Sequence, residues 1–161
     1  MTIKQVTNLL ELYKSDYGTP KQMKKGKRNN YQTGLWVDSF SEYHKIIQNE
    51  VREINPELEI TPWIYLIEYR KGNYFKEHTD HYGNRNNKKE DLIYSGGYLL
   101  NKEFKGGEFI LEDEVQTHNI GELFYFKRTE RHEVKEITEG VRYSLHFGII
   151  DRSLSSKKTL I

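Results

Sequence analysis

The apolar positions change their period partway along the chain. Val6, Leu9, Leu10 and Tyr13 recur at helical spacing, which predicts a short amphipathic helix over residues 3–15. A second helix is predicted from a cap at Asp38 or Ser39 to about Asn55, with Phe40, Tyr43, Ile46, Ile47 and Val51 on one face and Pro56 stopping it. Between them, residues 16–34 are rich in Lys, Asn, Gly and Gln and are interrupted by Pro20, so they read as a loop. After Pro62 the texture becomes that of strands. WIYLIEY, YSGGYLL, GEFILE, ELFYF and VRYSLHFGII are rich in β-branched and aromatic residues, and KGG, NIG and TEG mark turns between several of them. Residues 81–91 read as a polar loop and 151–161 as a solvated tail.

Two helices followed by many short strands predict a mainly β chain with N-terminal helices, an α+β arrangement around a jelly-roll barrel. The 161 residues show no internal repeat and no linker between two cores. One domain is therefore expected over residues 1–161, with 1–60 as supporting helices and loop and 61–151 as the barrel core.

Composition narrows the function classes. The net charge of +1 provides no global field for nucleic acid or an anionic membrane. No apolar run approaches the roughly 18 residues of a membrane span, and Met1 to Tyr17 lacks a signal-peptide core, so a cytoplasmic location is expected. Cysteine is absent, which removes disulfides and thiolate metal sites together. Any metal must be held by imidazole and carboxylate. The twelve Tyr and seven Phe can build a pocket that is part apolar and part hydrogen-bonding.

Three polar residues stand out. In an extended chain His78 and Asp80 point to the same side. Alone, a His-x-Asp pair is a frequent coincidence. His132, in RTERHEV, adds a second imidazole, and two imidazoles with one carboxylate make the facial triad of non-haem Fe(II) oxygenases. Zinc also binds such a set. The strand from Val141 to Phe147 alternates, with Val141, Tyr143, Leu145 and Phe147 on one face and Arg142, Ser144 and His146 on the other. In a barrel the second face looks inward. A buried guanidinium matches a planar anion, best a carboxylate, and a neighbouring Ser hydroxyl shares it. The strand thus reads as the holder of a dicarboxylate whose other end chelates iron.

These residues resemble the 2-oxoglutarate and Fe(II)-dependent oxygenases, in their prolyl 4-hydroxylase-like branch. The resemblance runs from about Trp63 to Asp151. It rests on Tyr69, Gly72, Tyr74, His78 and Asp80, then YLLN at 98–101, FKGGEF at 104–109, Gly121 before ELFYF, His132, and Arg142 with Ser144. It implies a double-stranded β-helix, a cupin-like jelly roll with the site in its mouth. It further implies His78, Asp80 and His132 as iron ligands, Arg142 as the anchor of 2-oxoglutarate, and Ser144 and Tyr69 beside the cosubstrate. A second cosubstrate tyrosine falls at Tyr98, one residue from the strict match at Leu99.

The activity so implied is that of a dioxygenase using Fe(II), 2-oxoglutarate and O2, with ascorbate as a reductant. It would hydroxylate a C–H bond of a prolyl residue in a peptide or protein and release succinate and CO2. A small-molecule substrate stays open, and nucleic acid is not expected. The rivals are a non-catalytic cupin-like protein binding a metal or a small acid, and a simple zinc hydrolase, for which Arg142 and Ser144 would have no use.

Further expectations concern the surroundings. Trp63, Phe75, Tyr125 and Phe126 are candidate walls. His146 reads either as reaching Asp80 through water or as a packed core histidine. His81 should point away from the metal, and His44 and His118 should lie on the surface. Lys21, Lys24, Lys25, Lys27 and Arg28 read as a solvated loop, with contact to an anionic partner as the alternative. Residues 17–33 and 81–91 are expected to form a lid over substrate, with Tyr82 as its contact.

Overall fold

The computed structural model describes residues 1–16, 20–35, 38–80 and 91–154. Helix α1 (Ile3–Asp16) buries Val6, Leu9 and Tyr13, and helix α2 (Ser41–Ile54) buries Tyr43, Ile47 and Val51, the apolar stripes the spacing predicts. A 3-10 turn, Asp38–Phe40, leads into α2, and Phe40 takes the cap position without a side-chain hydrogen bond. Neither Asp38 nor Ser39 therefore caps α2. None of the described helices is long and apolar enough to cross a membrane.

The strands are β1 (Lys21–Lys25), β2 (Arg28–Gly34), β3 (Leu58–Tyr69), β4 (Tyr74–His78), β5 (Leu92–Leu99), β6 (Phe104–Gly106), β7 (Phe109–Leu111), β8 (Glu114–Gln116), β9 (Phe124–Lys127), β10 (His132–Val134), β11 (Ile137–Gly140) and β12 (Arg142–Asp151). One sheet runs β8-β7-β10-β4-β2-β3-β12-β5-β9, with β1 added on β2, and β11 pairs separately with β6. Although β7 and β9 lie near opposite ends of this order, Phe109 and Phe126 meet with ring centroids 5.6 Å apart. The sheet has curled over itself into a double-stranded β-helix.

The alternation along β12 divides the interior in two. Leu145, Phe147 and Ile149 join Val6, Leu9, Ile47, Val51 and Leu66 in a core beneath the helices. Each such side chain contributes roughly 1.5–3 kcal/mol when buried. Arg142, Ser144 and His146 face the other way, into a cavity floored by a smaller cluster that includes Ile67, Tyr69, Phe109 and Val134.

The largest departure from expectation is the segment expected to be loop and lid. Residues 21–34 form the hairpin β1–β2, and β2 is built into the main sheet between β3 and β4. Its strand character was hidden because alternate residues Arg28, Asn30 and Gln32 are polar on the face turned toward the cavity, so apolar periodicity is missing. The division at residue 60 also moves, since the sheet begins in the N-terminal part. The expectations for residues 81–90, including His81 and Tyr82, and for 155–161 lie outside the described residues.

Candidate metal centre

His78 ends β4 and His132 begins β10, and the antiparallel register pairs them directly, with ring centroids 4.2 Å apart. Asp80 follows two residues after His78. Nε2 of His78 lies 3.4 Å and Nε2 of His132 lies 3.3 Å from the same oxygen, Oδ1 of Asp80. One candidate ligand atom from each residue fits within 4.8 Å of the other two.

The surrounding bonds aim these atoms. Nδ1 of His78 is 2.7 Å from the Lys76 carbonyl and Nδ1 of His132 is 3.0 Å from the Glu130 carbonyl. A carbonyl only accepts, so each Nδ1 carries the proton and each Nε2 lone pair faces the centre. Ser95 donates its hydroxyl to Asp80 Oδ2 at 2.6 Å, which leaves Oδ1 for a cation. Arg128 donates to the Asp80 carbonyl at 2.7 Å and its own carbonyl accepts from the Asp80 amide at 2.9 Å, fixing the main chain there. Phe75 stacks on His78 at 3.6 Å, and Phe126 packs against His132 at 4.5 Å. Burial opposes ionisation of Asp80, but hydrogen bonds from His132 and His78, made where a proton stands at Nε2 in place of a cation, outweigh it and hold the carboxyl well below the usual range. Two lone pairs and a carboxylate converging in an apolar setting suit a divalent cation. Three protein donors leave positions open for other ligands.

Arg142 is 4% exposed and finds no carboxylate among the described residues. Its bonding is a donation to Ser144 Oγ at 3.2 Å, and its guanidinium lies 5.6 Å from the centre of the Tyr69 ring. Burial penalises its charge, pushing its pKa down, and Tyr69 opposes this. A guanidinium buried without a counterion calls for an anionic ligand. It shares with the His-Asp-His cluster a cavity of about 360 Å³.

Several expectations need correction. Tyr98 is fully buried on the helix side of the sheet, where burial and then Glu50 of α2 raise its hydroxyl pKa, and it does not line the cavity. The register places Leu99, not Tyr98, opposite Ser144. A one-residue offset in a strand exchanges faces, and that offset decides here. Tyr125 is 44% exposed and is no wall, whereas Trp63, Phe75 and Phe126 do line the cavity. His118 is half-buried, not on the surface. It stacks on Phe124 at 4.0 Å, its Nε2 is buried without a partner, and burial followed by the Arg142 charge lowers its pKa. Arg28 leaves the solvated cluster for the cavity wall.

His146 lines the cavity beside Trp63, with ring centroids 5.9 Å apart. Burial lowers its pKa to about 4, so it is neutral near pH 7. Ser95 and Arg128 were not foreseen. The signal for Ser95 was present in YSGGYLL, where one hydroxyl precedes two residues without side chains at the closest approach of β5 to β12 and β9.

The sequence profile of the 2OG-Fe(II) oxygenase superfamily matches residues 64–148. No curated protein is significantly similar in sequence. Among solved structures, a Pseudomonas putida prolyl-4-hydroxylase superposes with a TM-score of 0.73 at 16% identity, over 94% of this chain and 89% of that one. A Trichoplax adhaerens prolyl hydroxylase, solved in complex with a hypoxia inducible factor oxygen degradation domain peptide fragment, gives 0.67 at 20% identity, over 95% and 81%. A non-haem alpha-ketoglutarate-dependent epimerase from nogalamycin biosynthesis gives 0.71 at 8% identity, over 94% and 75%. At such identities the likeness is one of fold. The profile match covers more than half of the chain and includes the His-Asp-His cluster and the Arg142 strand. The chain belongs to the 2OG-Fe(II) oxygenase superfamily, whose chemistry uses Fe(II), 2-oxoglutarate and O2.

Proposed function

We propose that this protein is a dioxygenase that hydroxylates a C–H bond of a prolyl residue in a peptide or protein, releasing succinate and CO2. The observation that carries the reading is the presence, in one cavity, of His78, Asp80 and His132 together with a buried Arg142 that has no carboxylate partner among the described residues. Iron bound by the triad would supply the coupling between oxidative decarboxylation of 2-oxoglutarate and oxidation of a C–H bond.

The chain's own residues do the rest. Arg142 and Ser144 bind the distal carboxylate of 2-oxoglutarate and orient its other end toward the triad. Arg142 and His146 lie four strand positions apart, about 13 Å of reach along the cavity. Tyr69 covers the guanidinium, while Phe75, Phe109 and Phe126 keep water from the metal ligands. Trp63 and Tyr65, with ring centroids 5.8 Å apart, form an aromatic patch on the cavity wall suited to a pyrrolidine ring. Prolyl hydroxylases among the structural relatives support a prolyl target.

Succinate release from 2-oxoglutarate in the presence of Fe(II) and ascorbate tests the activity without a substrate. A panel of prolyl peptides, read by mass for a gain of one oxygen atom, tests the target. Turnover stimulated by free amino acids and by no prolyl peptide would overturn the prolyl assignment.

A further inference from the structure

The charges lining the cavity do not balance. Its described lining residues carry three guanidinium groups, Arg28, Arg128 and Arg142, and a single carboxylate, that of Asp80. Three arginines elsewhere are paired with carboxylates. Arg70 meets Glu68, Arg131 meets Glu112, and Arg152 meets Glu59. The cavity arginines are held by neutral acceptors instead. Arg28 donates to Gln32 Oε1 at 2.7 Å and lies 4.9 Å from the centre of the Phe75 ring, and its buried Nε has no partner. Arg128 donates to the main-chain carbonyl of Asp80. Such acceptors fix a guanidinium in place without neutralising it.

With the active site loaded, the imbalance falls on two of the three. Fe(II) and 2-oxoglutarate cancel each other in formal charge, and Arg142 cancels Asp80. Arg28 and Arg128 remain. Arg28 lies over the Phe75 ring, which stacks on His78 at 3.6 Å, and Arg128 is bonded to the Asp80 carbonyl, so both stand on the same cavity wall beside the metal ligands. Two fixed cations in a recessed, partly apolar cavity are a site for an anion.

We propose that the substrate enters as an anion, with a carboxylate or phosphate held by Arg28 and Arg128 next to the metal. On the prolyl reading, on which this sharpening rests, the target is a prolyl residue flanked by an acidic one. The two ideas separate experimentally. Protein loaded with Mn(II) and N-oxalylglycine is titrated calorimetrically with four capped dipeptides: prolyl-aspartate, prolyl-asparagine, alanyl-aspartate and alanyl-asparagine amides. The aspartyl member of each pair should bind about tenfold tighter than its asparaginyl partner, the size of a charge-assisted bond. An alanyl-phosphoserine amide distinguishes phosphate from carboxylate recognition.

The preference should vanish in Arg28→Gln and persist in Arg28→Lys, with Mn(II) affinity by EPR reporting an intact fold. Arg28 carries the test because Arg128 also braces Asp80. Aspartyl and phosphoseryl probes that both bind no tighter than the asparaginyl ones, or a preference for charge unchanged in Arg28→Gln, overturn the proposal. A preference for proline without one for charge sustains the prolyl reading alone. A preference for charge without one for proline sustains the anion site alone. N-oxalylglycine binding, measured first, tests the role of Arg142 separately.

Discussion

Replacing Arg142 with Met should make the unliganded protein more stable and deprive it of its cosubstrate. In the folded chain the guanidinium is almost completely buried, and its described hydrogen bond is to Ser144 at 3.2 Å. Burying a charge without a counterion is costly, and an apolar side chain of similar volume removes that cost, on the order of 1–3 kcal/mol. For a chain of this size the melting temperature should rise by about 3–10 °C. The same change strips the distal carboxylate of 2-oxoglutarate of its bidentate partner, a loss of roughly 2–5 kcal/mol. Affinity should fall from roughly thirtyfold to a few thousandfold. Thermal melts with Mn(II), with and without 2-oxoglutarate, read both effects in one experiment. The variant should melt higher than wild type alone and lose the ligand-induced rise, while its Mn(II) affinity stays normal. A variant that melts lower and keeps the ligand-induced rise would show that Arg142 is a structural residue, and the assignment of the cosubstrate pocket would fall.

Other outcomes follow from the same geometry. His132→Ala should reduce Mn(II) affinity by orders of magnitude in an EPR titration, and wild-type affinity would refute the triad. Ser95→Ala leaves Asp80 Oδ2 without its donor at 2.6 Å and should weaken metal binding about 10–100-fold, again read by Mn(II) titration. His146 titrates at about 4 in the folded protein against an ordinary 6.5, so the unfolded chain takes up the proton first as pH falls. Its contribution to stability is therefore present above pH 6.5 and lost between 6.5 and 4, and denaturation of metal-free His146→Gln across that window should show a shallower pH slope than wild type. Gly107 has a φ of +68°, and a Cβ there would collide with Ile137 and crowd Arg142. Gly107→Ala should cost roughly 1–3 kcal/mol in denaturant unfolding.

The parts of the fold written in apolar periodicity were legible. Both helices carry a stripe of core residues, and β3, β5 and β12 bury one face in that core. The polar residues that the structure gathers into one cavity were legible for a different reason. Imidazole, carboxylate and guanidinium have few substitutes, so His78, Asp80, His132, Arg142 and Ser144 could be picked from their spacing. What failed did so where neither signal operates. Tyr98 and Leu99 are both apolar enough for either face, and only the register of β5 against β12 separates them. His118 looked isolated because its stacking partner Phe124 is contributed by a later strand.

The hairpin is the more instructive failure, because it bears on how substrate choice is encoded. A strand with one face in a polar cavity and the other half-exposed has no apolar period to display, so β2 read as a loop. Yet β2 sits between β3 and β4 and brings Arg28 and Gln32 into the cavity without supplying a triad ligand. The candidate ligands come from β4, the residue pair beyond it and β10, and the proposed cosubstrate anchor from β12. The metal and cosubstrate sites proposed above thus rest on different elements from Arg28. A fold shared at a TM-score of 0.71 and 8% identity with an epimerase can keep its architecture while its reaction changes. In this chain β2 is a strand on which charge can change without touching the candidate metal ligands, and if Arg28 holds an anionic substrate as proposed, its cavity-facing residues are where substrate preference would be rewritten.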